Sequence, residues 1–261
     1  MTLLVGKIFF SVVVVLCLSW IVEHVGPRVA GILAGMPLGG VLVLFFVGLD
    51  QGDGFASLTA AYATASVLAT LGFAYGYVLP DSTGRVSHPL LSTMSGLTAY
   101  FLIAGVLDWV QPNSDFAAFL AIVLLAIAAR FPLTRQGKQL DERVSMTFPR
   151  LFFRAALAAL IIVLITGFSN VIGPEWSGLL IGFPITFLPF VLIVHMTYSI
   201  EPVLTIVRNL PLGLISLVIF LLIATRAILE YGTNVGILVS LVSALAYLTG
   251  LAVLVRRIRG S

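Results

Sequence analysis

The chain has 261 residues, of which 60% are hydrophobic and only 10% charged, with a mean hydropathy of +1.14. A soluble domain carries about 25% charged residues and needs polar cover for its core. This chain lacks that cover, and the bilayer is the solvent that suits it. Its 14 basic and 11 acidic side chains give a net charge of +3, and no Arg/Lys stripe marks a nucleic-acid partner.

The first apolar segment carries a lone Lys7, and no small-x-small cleavage site follows before Glu23. Leu16 precedes Cys17, where a lipoprotein-type cysteine needs a small residue, so the segment reads as a permanent helix. A single cysteine excludes an intrachain disulfide and a cysteine-based metal site. His24, His88 and His195 lie too far apart for ligand spacing, and no cofactor is expected.

About 20 apolar residues are needed to span about 30 Å of hydrocarbon as helix. In chain order the candidates are Leu3–Val22, Val29–Gly48, Phe55–Leu79, Leu90–Val110, Phe116–Phe131, Leu151–Phe168, Trp176–His195, Val203–Thr225 and Val235–Val255. The fifth is short and ends on Arg130. The eighth meets Pro202, Arg208 and Pro211, which puts Glu201–Asn209 partly at the interface. Eight or ten spans are the alternatives to nine.

Charge places the connections. The segment from Arg130 to Arg150 holds five basic residues and the tail holds Arg256, Arg257 and Arg259, so both are expected in the cytoplasm. Counting back, the connections with Arg28 and Arg85 fall inside. Those with Asp50 and Asp53, with Asp108 and Asp115, and with Glu175 fall outside. The N-terminus is then outside and the C-terminus inside an inner, or cell, membrane. Trp20, Trp109 and Trp176 lie near span ends, as interfacial anchors should.

A repeat underlies this pattern. Gly26-Pro27-Arg28-Val29-Ala30-Gly31-Ile32-Leu33-Ala34-Gly35-Met36-Pro37 returns as Gly173-Pro174-Glu175-Trp176-Ser177-Gly178-Leu179-Leu180-Ile181-Gly182-Phe183-Pro184, at a constant offset of 147 positions (Gly26 to Gly173). The same offset carries spans one to four onto six to nine, Lys7 onto Arg154 and Ser19 onto Thr166; the fifth span has no counterpart. Five spans separate the copies, an odd number, so the halves sit in opposite orientations. Arg28 inside against Glu175 outside agrees. The expected fold is an all-α integral membrane protein of about nine transmembrane helices in an inverted-topology 4+1+4 repeat. Its parts are repeat one (1–110), a linking helix with a basic cytoplasmic loop (111–150) and repeat two (151–261).

Inverted repeats build many secondary transporters, with substrate held near the bilayer midplane by discontinuous helices. Pro37 and Pro184 fall near the middle of spans two and seven, each removing a backbone donor, with Gly35 and Gly182 lowering the cost of bending. The competing reading is packing alone, since Gly31/Gly35 and Gly178/Gly182 are G-x-x-x-G pairs. Lys7 and Arg154 are cations inside apolar segments, suited to an anionic or zwitterionic substrate; near span ends they can instead snorkel to headgroups. Ser19 and Thr166 line a pathway or bond to their own helices. Asp108 and Glu201 either couple protons or are solvated boundary residues, and His195 has no evident partner. No H-E-x-x-H, G-x-S-x-G, phosphate-loop or dinucleotide motif occurs, so no enzyme is expected.

The stretch Leu151–Leu164 around Arg154, followed by Ser177-Gly178-Leu179-Leu180-Ile181-Gly182-Phe183-Pro184-Ile185-Thr186-Phe187, resembles the small four-helix GlpM-like membrane proteins. Those open with a basic residue in an Ala/Leu-rich helix and continue into an Ala-Gly-Leu…Phe-Pro-Thr-Phe segment. The first half is similar through Lys7, Ala30-Gly31 and Met36-Pro37. The resemblance implies that each half corresponds to one such protein, and it brings no activity with it. A looser likeness to the drug/metabolite transporter superfamily implies duplicated inverted units, although those usually count five plus five helices. The expected function is secondary transport or export of a small, anionic solute. The alternatives are an accessory or scaffold subunit and a lipid flippase. The expected partners are the bilayer and a small molecule, and a homodimer is admitted.

Cysteine labelling should place Thr134–Arg143 and the tail in the cytoplasm and Asp53 and Glu175 outside. Labelling of Asp53 and Thr134 positions from one side would overturn the inverted arrangement.

Overall fold

The computed structural model describes residues 27–82, 88–130 and 148–260, with Gly6, Phe9, Phe10, Val12, Val13 and Leu16 of the first segment. Among the described residues every regular element is a helix. These are α1 Pro27–Ala34, α2 Leu38–Gln51, α3 Asp53–Ser82, α4 Pro89–Val110, α5 Ser114–Ala128, α6 Phe148–Ile181, α7 Phe187–Thr197 and α8 Ile200–Gly260. Gly173 divides α6 into α6a (148–172) and α6b (174–181), and Gly232 divides α8 into α8a (200–231) and α8b (233–260).

Five stretches among the described residues are long and apolar enough to cross a membrane: Pro27–Gln51, Asp53–Asp81, Pro89–Val110, Ala155–Ile181 and Ile200–Leu254. Their outer faces are apolar as well. Leu102 is 67% exposed and Val171 81%, and only 22% of the α4 window is buried. Water would not tolerate so much contiguous apolar surface. The chain has the build of an all-α, multi-pass membrane protein.

Three glycines each separate two helices with a single residue. Gly52 (φ 87°), Gly173 (φ 77°) and Gly232 (φ 78°) share a backbone conformation that side chains with a Cβ rarely adopt. The reversal at Gly232 is shown by the Tyr247 hydroxyl, which donates to the Leu212 carbonyl at 3.2 Å. Along one straight helix those residues would stand about 50 Å apart. The residues left between the expected spans eight and nine, 226–234, are therefore helix on both sides of one glycine. The expected interruption of span eight is also absent, because α8a runs on through Pro211. Pro202 falls in its first turn, where a missing N–H is no loss.

The turns at Gly52 and Gly232 are stitched together. Asp53 Oδ1 accepts from the Thr233 amide at 2.8 Å and from its hydroxyl at 2.6 Å, which caps α8b while tying it to α3. Ser57 donates to the Thr225 carbonyl at 2.6 Å, so α3 and α8a run antiparallel. Arg226 clasps both Asp115 oxygens at 2.8 and 2.9 Å on the exposed surface. This cluster defines one end of the bundle, the Asp53 end. Arg28, Asp81 and Glu201 belong by helix direction to the opposite, Glu201 end.

Glycine sets the register of the inner helices. A Cβ on Gly31 would fall under 3.0 Å from the Ile206 carbonyl oxygen, and one on Gly35 under 3.0 Å from Gly213. Hence α1 runs parallel to α8a at backbone contact. A Cβ on Gly178 would meet Thr59, Tyr62 and Ala63, and one on Gly182 would meet Ser66. Hence α6b runs parallel to α3. Because α3 and α8a are antiparallel, α1 and α6b enter the bundle from opposite ends.

At Gly232 a Cβ would meet only open surroundings, with Asp53 Oδ2 the nearest atom at 3.7 Å, so an alanine there is opposed by conformation alone. Gly232→Ala should destabilise the protein by about 1–3 kcal/mol, read as a lowered melting temperature in detergent. Gly54→Ala, in open space within α3, should be neutral or slightly stabilising. Equal melting of the two variants would contradict the turn assignment.

Candidate functional site

Both glycine-proline motifs break their helices. After α1, Met36 N–H donates to Leu33 O at 3.2 Å, and helix resumes with Val41 N–H donating to Pro37 O at 2.8 Å. After α6b, Phe183 N–H donates to Leu180 O at 3.0 Å, and helix resumes with Leu188 N–H donating to Pro184 O at 2.8 Å. The positions correspond one for one at the 147-residue offset. Each break leaves a helix C-terminus, α1 or α6b, facing a new N-terminus, α2 or α7.

The two breaks border one cavity of about 40 Å³, room for a few waters at most. Gly35 and Met36 line it from one break and Gly182, Phe183 and Pro184 from the other, with Thr70 on α3 and Leu217 on α8a between them. Pro37 is buried just behind this lining. Of the glycine and proline positions singled out in the sequence, Gly35, Gly182 and Pro184 line this cavity and Pro37 does not. The cavity's walls come from elements that entered from opposite ends.

Carbonyls freed at membrane depth need partners, and hydroxyls supply them. Thr70 Oγ1 donates to the Gly182 carbonyl and, at 3.2 Å, to that of Ser66. The fully buried Tyr100 donates its hydroxyl to the Leu179 carbonyl. Around this point gather the largest buried rings, Phe73, Tyr77, Tyr100, Phe187 and Phe220 among them. Along the seam between α3 and α6b, Thr59, Ser66, Thr70 and Ser177 are buried, and the Thr59 and Ser177 hydroxyls have no partner among the described residues. A polar seam thus leads from the cavity toward the Asp53 end.

No charged side chain lines the cavity among the described residues, and no group of three or more acidic, His or Cys residues could hold a metal among them. The polar equipment is two threonine hydroxyls, from Thr70 and Thr186, and the main chain at four helix ends. Such a lining can bind and release a small polar group; it offers no acid–base pair.

Lys7 and Ser19 lie outside the described residues, as does the Arg154 side chain, whose backbone belongs to α6a. Thr166 is buried and donates to the Ile162 carbonyl of its own helix at 2.9 Å, away from the cavity. Thr70, Tyr100 and the pair Tyr77–His195, with the hydroxyl 3.1 Å from Nδ1, were not anticipated. Signals for two of them exist: Thr59, Ser66, Thr70 and Tyr77 share one helical face, and Tyr100 maps onto Tyr247 at the repeat offset. Comparison with family models, with curated proteins and with solved structures finds no match.

Proposed function

We propose that the chain is a secondary transporter of a small solute, with alternating access through the cavity where the two broken helices meet. In this reading nine spans form an inverted 4+1+4 repeat in the inner membrane, with the N-terminus outside and the C-terminus cytoplasmic. One observation carries it. The contacts of Gly31 with Ile206 and Asn209, and of Gly35 with Gly213, become those of Gly178 with Thr59 and Tyr62, and of Gly182 with Ser66, when the halves are exchanged at the 147-residue offset. Each half packs its broken helix on the third helix of the other. An in-plane pseudo-two-fold through the cavity explains this exchange, and rocking about such an axis turns one access state into the other.

The solute is small because the cavity is small, and its anionic character rests on Lys7 and Arg154. Bound anion would be held by those cations and by the amide ends of α2 and α7. A groove favours lipid flipping as a second reading. It holds about 400 Å³ and is lined by Val12 and Leu16 of the first segment and by Phe152, Ala159 and Val163 of α6a. Val12 maps onto Ala159 and Leu16 onto Val163 at the repeat offset, and an acyl chain fits so apolar a surface.

Purified protein is first screened by thermal shift against anionic metabolites and lipids, then reconstituted for uptake of the stabilising ligand. Lys7→Gln and Arg154→Gln should each lower uptake about tenfold or more, the loss of one charge-assisted bond, with melting near that of the parent. Gly182→Leu should abolish uptake, whereas Gly167→Leu, at a site with nothing within 4 Å, should leave it intact. Full uptake by Lys7→Gln, Arg154→Gln and Gly182→Leu alike would refute the reading; stabilisation by phospholipid alone would favour flipping.

A further inference from the structure

We propose that the Tyr77–His195 pair is a proton-binding site built into the gate that closes the pathway toward the Glu201 end. The inference rests on the transport reading and names a coupling ion for it. From the cavity wall at Phe187, rings stack toward that end without interruption. Phe187 meets Phe73 at 6.0 Å between centroids, Phe73 meets Tyr77 at 5.9 Å, and Tyr77 meets His195 at 5.8 Å. Tyr77 is fully buried and His195 is 7% exposed, with the hydroxyl 3.1 Å from Nδ1.

The molecule carries its own control. At the repeat offset, Phe187, Phe73, Tyr77 and His195 correspond to Gly40, Phe220, Ala224 and Gly48. The first pair meets again, since a Cβ on Gly40 would stand 3.8 Å from Phe220 Cε1, and Phe220 and Ala224 are fully buried. At the equivalent positions toward the Asp53 end stand a ring, an alanine and two glycines, with the Thr233 side chain packed on Gly48. Packing does not demand a phenol and an imidazole. Burying two polar side chains where apolar ones suffice is costly, and ionisable residues kept at membrane depth are functional by default.

A neutral imidazole with its proton on Nε2 accepts the Tyr77 hydroxyl at Nδ1. When a proton from the aqueous phase adds there, Nδ1 becomes a donor, the tyrosine O–H rotates so that its oxygen accepts, and a charge appears inside an aromatic stack. That charge is met by admitting water, which parts the rings. Neighbouring elements bring the following charged and titratable groups to this end: Arg28 on α1, Asp81 on α3, His88 before α4, Arg130 after α5, Tyr198 after α7, and Glu201 and Arg208 on α8a. Arg150 and Arg154 lie on α6a, with side chains outside the described ones. Protonation of His195 is the event assigned to the gate, and these groups set the field in which it occurs.

The test uses the full chain in oriented proteoliposomes, with Cys17→Ser and a reporter Met36→Cys in the cavity wall. Labelling by a membrane-impermeant maleimide is timed from each side between about pH 8 and about pH 5, the range in which an imidazole titrates. Dividing by the rate of the same protein with His195→Gln cancels the thiol's own pH dependence. From the Glu201 side this ratio should rise on the order of tenfold as the pH falls across that range. A flat ratio, with the reporter still reached, sinks the proton site and leaves the pathway standing. A reporter that labels from neither side at any pH sinks both. Should His195→Gln fail to fold, Tyr77→Phe takes its place. Removing the partner should raise labelling already at about pH 8, and rates equal to the parent's throughout would overturn the proposal.

Discussion

A helix that breaks halfway across a membrane releases amides and carbonyls into a solvent that cannot bond them, at a cost of several kcal/mol for each group left alone. The arrangement follows from meeting that cost twice, at Gly35–Pro37 and at Gly182–Pro184. The breaks lie against each other instead of against lipid. Gly31, Gly35, Gly178 and Gly182 let the flanking helices approach their neighbours to backbone contact, which shuts hydrocarbon out. Thr70 and Tyr100 reach in to take the carbonyls of Gly182 and Leu179. What main chain is left over faces the cavity between the breaks. On the transport proposal, the binding site for a small polar molecule and the solution to this solvation problem are the same construction.

The two sides of the cavity meet the requirement differently. Around α6b the freed carbonyls receive hydroxyls from α3 and α4. Around α1 the equivalent of Thr70 is Leu217, and Gly213 closes directly on the Ile32 carbonyl. On the repeat reading, one half supplies polar groups and the other supplies close packing. In the proposed transporter that division would give the two access states unequal stability, which a coupled ion can exploit.

The breaks themselves were legible in the amino-acid sequence, because proline and glycine act locally and the motif occurs twice. That a single glycine makes each turn was not legible. Arg226, Glu230 and Asn234 look like a loop, yet they belong to helices that carry on past the apolar stretch and turn on Gly232 alone. Pro211 looked like an interruption because proline in water breaks helices, whereas tightly packed membrane helices tolerate it. His195 could not be paired from the sequence, since its contact with Tyr77 spans 118 positions and depends on how α7 sits beside α3. Local backbone chemistry shows itself in sequence; partners made by tertiary register do not.

The exchange of broken helices between halves is the centre of this account, and oxidative cross-linking in native membranes tests it most directly. In a Cys17→Ser background, the pairs Gly31→Cys/Asn209→Cys and Gly178→Cys/Tyr62→Cys place Cβ positions 3.1 and 2.6 Å apart, within reach of a disulfide after slight separation of the helices. Both pairs should link. The swapped pairs, Gly31→Cys/Tyr62→Cys and Gly178→Cys/Asn209→Cys, join opposite ends of the bundle and should remain reduced. Linking of the swapped pairs, or of only one of the two equivalent pairs in folded protein, would contradict the exchange.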